Sequence, residues 1–222
     1  MKTLILLIIV IGLLFGCAGS EKIRTVQDDN IFYSSSTPKI RIRINPNFKY
    51  DKETVHRDTG FSVGYGEKSS NRKITKFLFL DRVSGKRRGM EIVIVELLLP
   101  RWYFKPITCK MKNRLDSGQI KLQGKNYRYC TFIFVKNKKF VLVKRISRLV
   151  GGNSNAMIGI DYFEHVTGDW SNTNMLTAEQ NKQLNEFVED SKRDLQILEY
   201  KAPTSTPSKG KWGELSFTSH RG

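Results

Sequence analysis

Apolar and polar positions alternate through most of the chain beyond residue 38. Lys39-Ile40-Arg41-Ile42-Arg43-Ile44 does so strictly. Successive side chains of a strand point to opposite faces, so Ile40, Ile42 and Ile44 face a core while Lys39, Arg41 and Arg43 stand together outside. Asn45-Pro46-Asn47 ends this strand. Residues 49–60 are charged, without apolar alternation, and read as loop. Phe61-Ser62-Val63-Gly64-Tyr65 predicts a short strand. Ile74–Leu80 and Met90–Leu99 flank a Gly-containing connection and predict a hairpin. The second of these runs is apolar on both faces in its middle, the mark of a central strand. Its Glu91 and Glu96, if buried, each need a cation or donor alongside. Gly118–Leu122, Tyr127–Val135 and Phe140–Ile146 predict an antiparallel meander, turning at Gln123-Gly124-Lys125-Asn126 and at Lys136-Asn137-Lys138-Lys139. Residues 147–156 read as loop. Met157–Val166 predicts a further strand with Ile158, Ile160, Tyr162 and Val166 on one face.

The period lengthens after residue 176. Thr177-Ala178-Glu179-Gln180 fits a capping box, in which the Thr side chain accepts from a free backbone N–H and the Gln reaches back. Leu184, Phe187, Val188, Ser191, Leu195 and Leu198 then fall on one stripe of a helix over 177–199. The opposite face mixes Glu186, Glu189, Asp190 and Asp194 with Lys192 and Arg193. A membrane-surface helix has a Lys/Arg-rich polar face, so this one is expected to pack on a sheet. The fold class is α+β: a largely antiparallel sheet of about 6–8 strands with one long C-terminal helix on one face. In element order alone this resembles the PsbP/Mog1 type of α-on-β domain. No motif is shared, so that resemblance implies nothing about activity.

The N-terminus has a different pattern. Met1-Lys2 is followed by an almost unbroken apolar run, Leu4–Phe15, and polar residues resume at Ser20-Glu21-Lys22. A charged start, a short apolar run and a small residue before a cut site make an export signal. The run is about a dozen residues, against about 20 for a spanning helix. Its ending, Leu14-Phe15-Gly16-Cys17, resembles the lipobox of bacterial lipoproteins. The resemblance covers only the leader and departs at Phe15, where that family more often has a small residue. It implies cleavage before Cys17 and a diacylglycerol thioether, usually with an N-acyl chain, on Cys17. Ala18 stands where Gram-negative lipoproteins retained at the inner membrane commonly carry Asp, which implies the periplasmic face of an outer membrane if there is one. The competing reading is a plain secretory peptide with a chance cysteine. The organisation expected is a signal peptide at 1–16, a tether at 17–37 with Ile31-Phe32-Tyr33 as a short edge strand, a single α+β domain at 38–200, and a flexible tail at 201–222.

Charge and cysteines refine this picture. The chain carries 38 Lys and Arg against 21 Asp and Glu, a formal net charge of +17. Such an excess attracts anionic lipid or an anionic envelope polymer. The plainer account is a solvated basic surface, since the cations are spread along the chain. Export disfavours nucleic acid as the partner. The anion-binding candidates are Lys39, Arg41 and Arg43 on one strand face and Lys86-Arg87-Arg88 at the hairpin tip. Cys109 and Cys130 are the candidate disulfide, which an exported compartment permits; the alternative is two buried thiols. Neither has a neighbouring cysteine of the kind that zinc or redox motifs require.

No catalytic or cofactor motif is present: there is no Gly-x-Ser-x-Gly, no His-Glu-x-x-His and no phosphate-binding loop. The best constellation is Asp161 with His165, on one face of a strand, near Glu164 and Asp169; an acid–base or metal role there is the enzyme alternative. The favoured expectation is a membrane-anchored, non-enzymatic binding or structural lipoprotein without cofactor, meeting an anionic lipid, an envelope polymer or an envelope protein.

Overall fold

A computed structural model describes residues 23–27, 30–62, 69–99, 102–105, 107–111, 113–137 and 139–201. Among them the strands run in order as β1 (Arg24–Gln27), β2 (Ile31–Ser34), β3 (Ile40–Ile44), β4 (Phe48–Ser62), β5 (Ser69–Asp81), β6 (Arg88–Leu97), β7 (Arg114–Leu122), β8 (Lys125–Lys136), β9 (Lys139–Val150) and β10 (Ala156–Val166). The helix α1 (Ala178–Arg193) and the strand β11 (Leu195–Leu198) complete the order. The sheet is largely antiparallel and, among the described residues, a single helix accompanies it, as the patterning implies. There are two sheets, however, one of seven strands in the order β4-β5-β6-β10-β9-β8-β7 and one of four in the order β1-β2-β3-β11. The hairpin β5–β6 and the meander β7–β8–β9–β10 pair as expected, and β6 lies between β5 and β10. The two-residue turn between β7 and β8 holds Gln123 and Gly124 at φ 48° and 70°. Both positive angles suit the right-handed twist of the strands it joins.

Several expectations change. The stretch 147–156 is loop only in part, since β9 continues to Val150 and pairs with β10 there. Residues 49–60 are not loop: β4 pairs with β5 from Phe48↔Asp81 to Ser62↔Ser69, with shifts of register near Tyr50 and near Thr59. It is an edge strand whose middle is exposed, so main-chain bonds hold it and no apolar alternation is needed there. The expected tether contains β1 and β2, and β2 is buried at every position. Phe32 and Ile42 are register partners on its inner face, while Tyr33 on the outer face stacks on Tyr200 at 5.9 Å. Among the described residues the fold therefore includes β1 and β2 and does not begin near Lys39. Finally, α1 stops at Arg193. Leu195 and Ile197 belong to β11 and pair with Ile44 and Ile42. A period of two and a period of 3.6 both place Leu195 inside and differ over Ile197 and Leu198, and the free edge of β3 decides between them.

The four-stranded sheet and α1 cover the same face of the large sheet, and one cluster of buried residues joins all three. Phe32 meets Phe77 at 4.7 Å between ring centroids, and Phe187 of α1 meets Tyr162 at 5.3 Å. Phe32, Ile42, Ile44, Phe77, Ile92, Ile94 and Phe187 are at most 1% exposed. Each such side chain contributes about 1.5–3 kcal/mol through burial. The capping box at Thr177 is formed, with Thr177 Oγ1 accepting from the Gln180 N–H at 3.2 Å and Gln180 Oε1 accepting from the Thr177 N–H at 2.8 Å.

Candidate functional site

The expected cation clusters are largely engaged inside the fold. Arg88 is 5% exposed. Its Nε donates to Asp81, and its Nη1 lies 2.9 Å from Asp190 Oδ2, 3.1 Å from Asp194 Oδ2 and 3.1 Å from the Tyr162 hydroxyl. The guanidinium also sits over the Phe48 ring, 5.3 Å from its centroid. Lys86 reaches Asp190 at 3.1 Å and Glu164 at 3.8 Å. Burial opposes ionisation of Asp81, but hydrogen bonds from Ser84, Arg88 and the backbone of Val83 outweigh it and hold the carboxyl well below the usual range. Burial works against Asp190 too, and Lys86, Arg193 and Arg88 together hold its value down. Lys86-Arg87-Arg88 is thus no open anion site. Arg88 ties the β5–β6 hairpin to the end of α1, and only Arg87 of the three forms no ion pair among the described residues. Lys39, just before β3, and Arg43 are exposed and Arg41 is half-buried; Arg41 and Arg43 have Tyr33 and Ile31 of β2, both buried, as register partners.

Asp161 and His165 do not form a pair. Both oxygens of Asp161 accept from Arg145, at 2.7 and 2.6 Å, and the hydrogen bond in turn keeps Arg145 charged. His165 is exposed near the far end of β10. Among the described residues no group of His, Cys, Asp and Glu is placed to hold a metal. Glu91 and Glu96 have the cations their strand requires: Lys76 at 3.3 Å for Glu91, and both guanidinium nitrogens of Arg24 at 2.9 Å for Glu96. Cys17 lies outside the described residues.

Cys109 and Cys130 are joined, with Cα atoms 5.7 Å apart, inside the range a bridge allows. The bond frames a cleft on the large sheet. Along β10, Ile158, Ile160 and Tyr162 face the core, so Met157, Gly159 and Asp161 face the other side of the large sheet. Register places Arg145, Ser147, Arg128, Cys130 and Phe132 on that same side. The segment 107–111 lies over it, held down through Cys109. Beneath is a cleft of about 520 Å³, within the size range of small-molecule sites.

The floor is open because residue 159 has no side chain. A Cβ there would meet nothing nearer than Val93 Cβ at 3.9 Å. Val93, Met157, Phe132, Ile107 and Met111 supply an apolar lining. Arg145 is neutralised by Asp161, whereas Arg114 and Arg128 are exposed at the rim and form no ion pair among the described residues. The site therefore combines an apolar pocket with two exposed guanidinium groups, of which Arg114 also donates to the Cys109 carbonyl at 3.4 Å. None of this chemistry stands out in the sequence. The one local signal is Met157-Ile158-Gly159-Ile160-Asp161, in which a glycine breaks one face of an otherwise well-patterned strand.

No family model matches the chain, and neither a curated protein nor a solved structure matches it. No described helix is long and apolar enough to cross a membrane.

Proposed function

We propose that this chain is a bacterial envelope lipoprotein, anchored through an acylated Cys17, whose β-rich domain binds a ligand and does not turn one over. The ligand is an amphiphilic anion: its apolar body lies in the cleft beneath residues 107–111 and its acidic head meets Arg114 and Arg128. The observation that carries the reading is the cleft itself, apolar on its floor and cationic at its rim. Guanidinium groups suit carboxylate and phosphate heads because their paired N–H donors match two oxygens at once. Asp161, the strongest catalytic candidate by sequence, serves here as the partner of Arg145.

Two measurements test the two halves of the proposal. Intact-mass analysis of the protein purified from detergent-solubilised membranes is expected to show a chain starting at Cys17 with added acyl mass; an unmodified chain refutes the anchor. Titration with dansyl-undecanoic acid is expected to give saturable binding. The double substitution Arg114→Ala/Arg128→Ala should weaken it about tenfold or more, since a charge-assisted pair is worth roughly 1.5–3 kcal/mol. Gly159→Leu, which fills the floor, should abolish it. Binding indifferent to both changes refutes the cleft.

A further inference from the structure

The sheet register gathers one end of the molecule from distant parts of the chain. A single cross-strand row runs Lys73–Glu96–Ala156–Val150 through β5, β6, β10 and β9. Beyond this row lie Leu98 and the segment 102–105, fixed by hydrogen bonds from the Leu98 N–H to the Asn71 carbonyl (2.9 Å) and from the Phe104 N–H to the Ser154 carbonyl (2.9 Å). The turn at Gln123-Gly124 is at this end too, because Arg128 pairs with Ser147 and β8 begins three residues earlier.

Three observations distinguish this end. Leu98 and Tyr103 are 46% and 68% exposed, with Trp102 half-buried between them in sequence. Arg72, Lys73, Lys105, Lys121, Lys125 and Arg148 lie at this end, while at the opposite end Lys86, Arg88 and Arg193 are paired with Asp81, Glu164, Asp190 and Asp194. Third, the chain enters the domain here: Arg24, the first residue of β1, has its guanidinium on Glu96. Ile23 is six residues beyond Cys17, a reach of at most ~20 Å even when fully extended.

We propose that this end rests on the bilayer, with Leu98, Trp102 and Tyr103 in the interfacial layer and the surrounding cations over anionic lipid headgroups. The inference rests on the anchor reading above, since a lipid on Cys17 is what brings this end, and not the Arg88 end, to the surface. Trp and Tyr favour the headgroup region because one part of each ring system is apolar and another polar, and cations beside them are drawn to negative lipid. The same short connection then holds the cleft at a fixed, small height above the membrane.

The test uses the protein as purified from membranes, reconstituted into vesicles of phosphatidylglycerol and phosphatidylcholine with brominated acyl chains. Bromine quenches indole only within the bilayer, and the difference between wild type and Trp102→Phe isolates the Trp102 emission. That emission is expected to be lost. It should return in Leu98→Asp/Tyr103→Asp, which remains vesicle-bound through its anchor, and should be unaffected by Val83→Asp at the opposite end. Far-ultraviolet circular dichroism checks that each variant is folded. Acyl mass with unquenched Trp102 overturns the docking face alone. Quenching without acyl mass overturns the anchor and leaves the face standing. Neither acyl mass nor quenching overturns both.

Discussion

Replacing Arg88 with Met should destabilise the domain more than any other single change among its charged residues. Three carboxylates converge on this guanidinium, and the side chains of Asp81 and Asp194 are 0% exposed, that of Asp190 13%. Methionine keeps much of the volume and the contact with Phe48, so the main effect is to take from these carboxylates the one cation they share. Breaking a buried pair in this way costs about 3–5 kcal/mol. For a domain of this size each kcal/mol lowers Tm by about 2–4 °C, so a fall of roughly 10–15 °C is expected by calorimetry at pH 7.

The pH dependence separates this cause from a simple packing defect. In the wild type, Asp81 and Asp190 ionise below the ordinary carboxylate range. They contribute stability above the unfolded value of about 4, and that stability is lost as pH falls through their depressed folded values. In Arg88→Met each carboxylate loses one partner, while Ser84 and the Val83 N–H still serve Asp81 and Lys86 and Arg193 still serve Asp190. Their folded values rise from the wild-type positions, so the stability they contribute above about pH 4 shrinks. The gap between the two proteins should narrow as pH falls from about 5 to about 2. Adding Asp81→Asn to Arg88→Met should recover part of the loss, although Asp81→Asn alone is destabilising. A loss under about 1 kcal/mol, or a gap constant across that pH interval, would refute the account.

Other consequences are smaller. Cys109→Ser removes a bridge closing a sequence separation of 21; the expected cost in urea unfolding is about 3 kcal/mol, with weaker retention of the dansyl probe because residues 107–111 are no longer held over the cleft. Arg24→Ala breaks the two-pronged contact between β1 and β6, whose side chains are 11% and 25% exposed, and should cost roughly 1.5–3 kcal/mol by the same measurement. Burial, with the hydroxyl of Tyr200 beside it, pushes Tyr33 up to about 12. Its ionisation followed by near-ultraviolet absorbance should come late. Since the unfolded chain releases that proton near 10, stability should fall as pH rises from about 10 towards 12, and Tyr200→Phe should bring Tyr33 down.

Much of the fold is written in the local pattern where one face is buried. The alternation at Ile40–Ile44, the hairpin at β5–β6 and the meander from β7 to β10 all follow from side chains that must choose between core and water. The pattern is silent where that choice is absent. β4 has an exposed middle held by main-chain bonds, so Asp51-Lys52-Glu53 looks like loop. β2 is covered on both faces, on one of them by Tyr200, a residue 167 positions from Tyr33. The helix boundary was ambiguous for a different reason: Leu195 satisfies either period, and only the open edge of β3, far away in sequence, selects the strand. The cleft was the least legible part, since Arg114, Arg128, Arg145 and Gly159 lie on four strands and no two are near enough to form a motif.

The same contrast explains why local charge density was a poor guide to available charge. Lys86-Arg87-Arg88 is the densest basic run in the sequence, yet two of its three cations are bound to carboxylates. A hairpin tip adjoining the acidic end of α1 is where such pairing is geometrically available, and a guanidinium among carboxylates is no longer attractive to an outside anion. Lys105, Lys121, Lys125 and Arg148, by contrast, are scattered in sequence. Antiparallel topology returns alternate connections to the same end of a sheet, so residues dozens of positions apart become neighbours there. The proposed anchor joins the chain at that end. Quenching of Trp102 by anionic vesicles should weaken as salt rises, because exposed charges are screened over about 10 Å at 0.1 M, whereas stability arising from the buried Arg88 network should hardly change over the same range. Salt that melts the domain without relieving the Trp102 quenching would reverse the assignment of the two sets of charges.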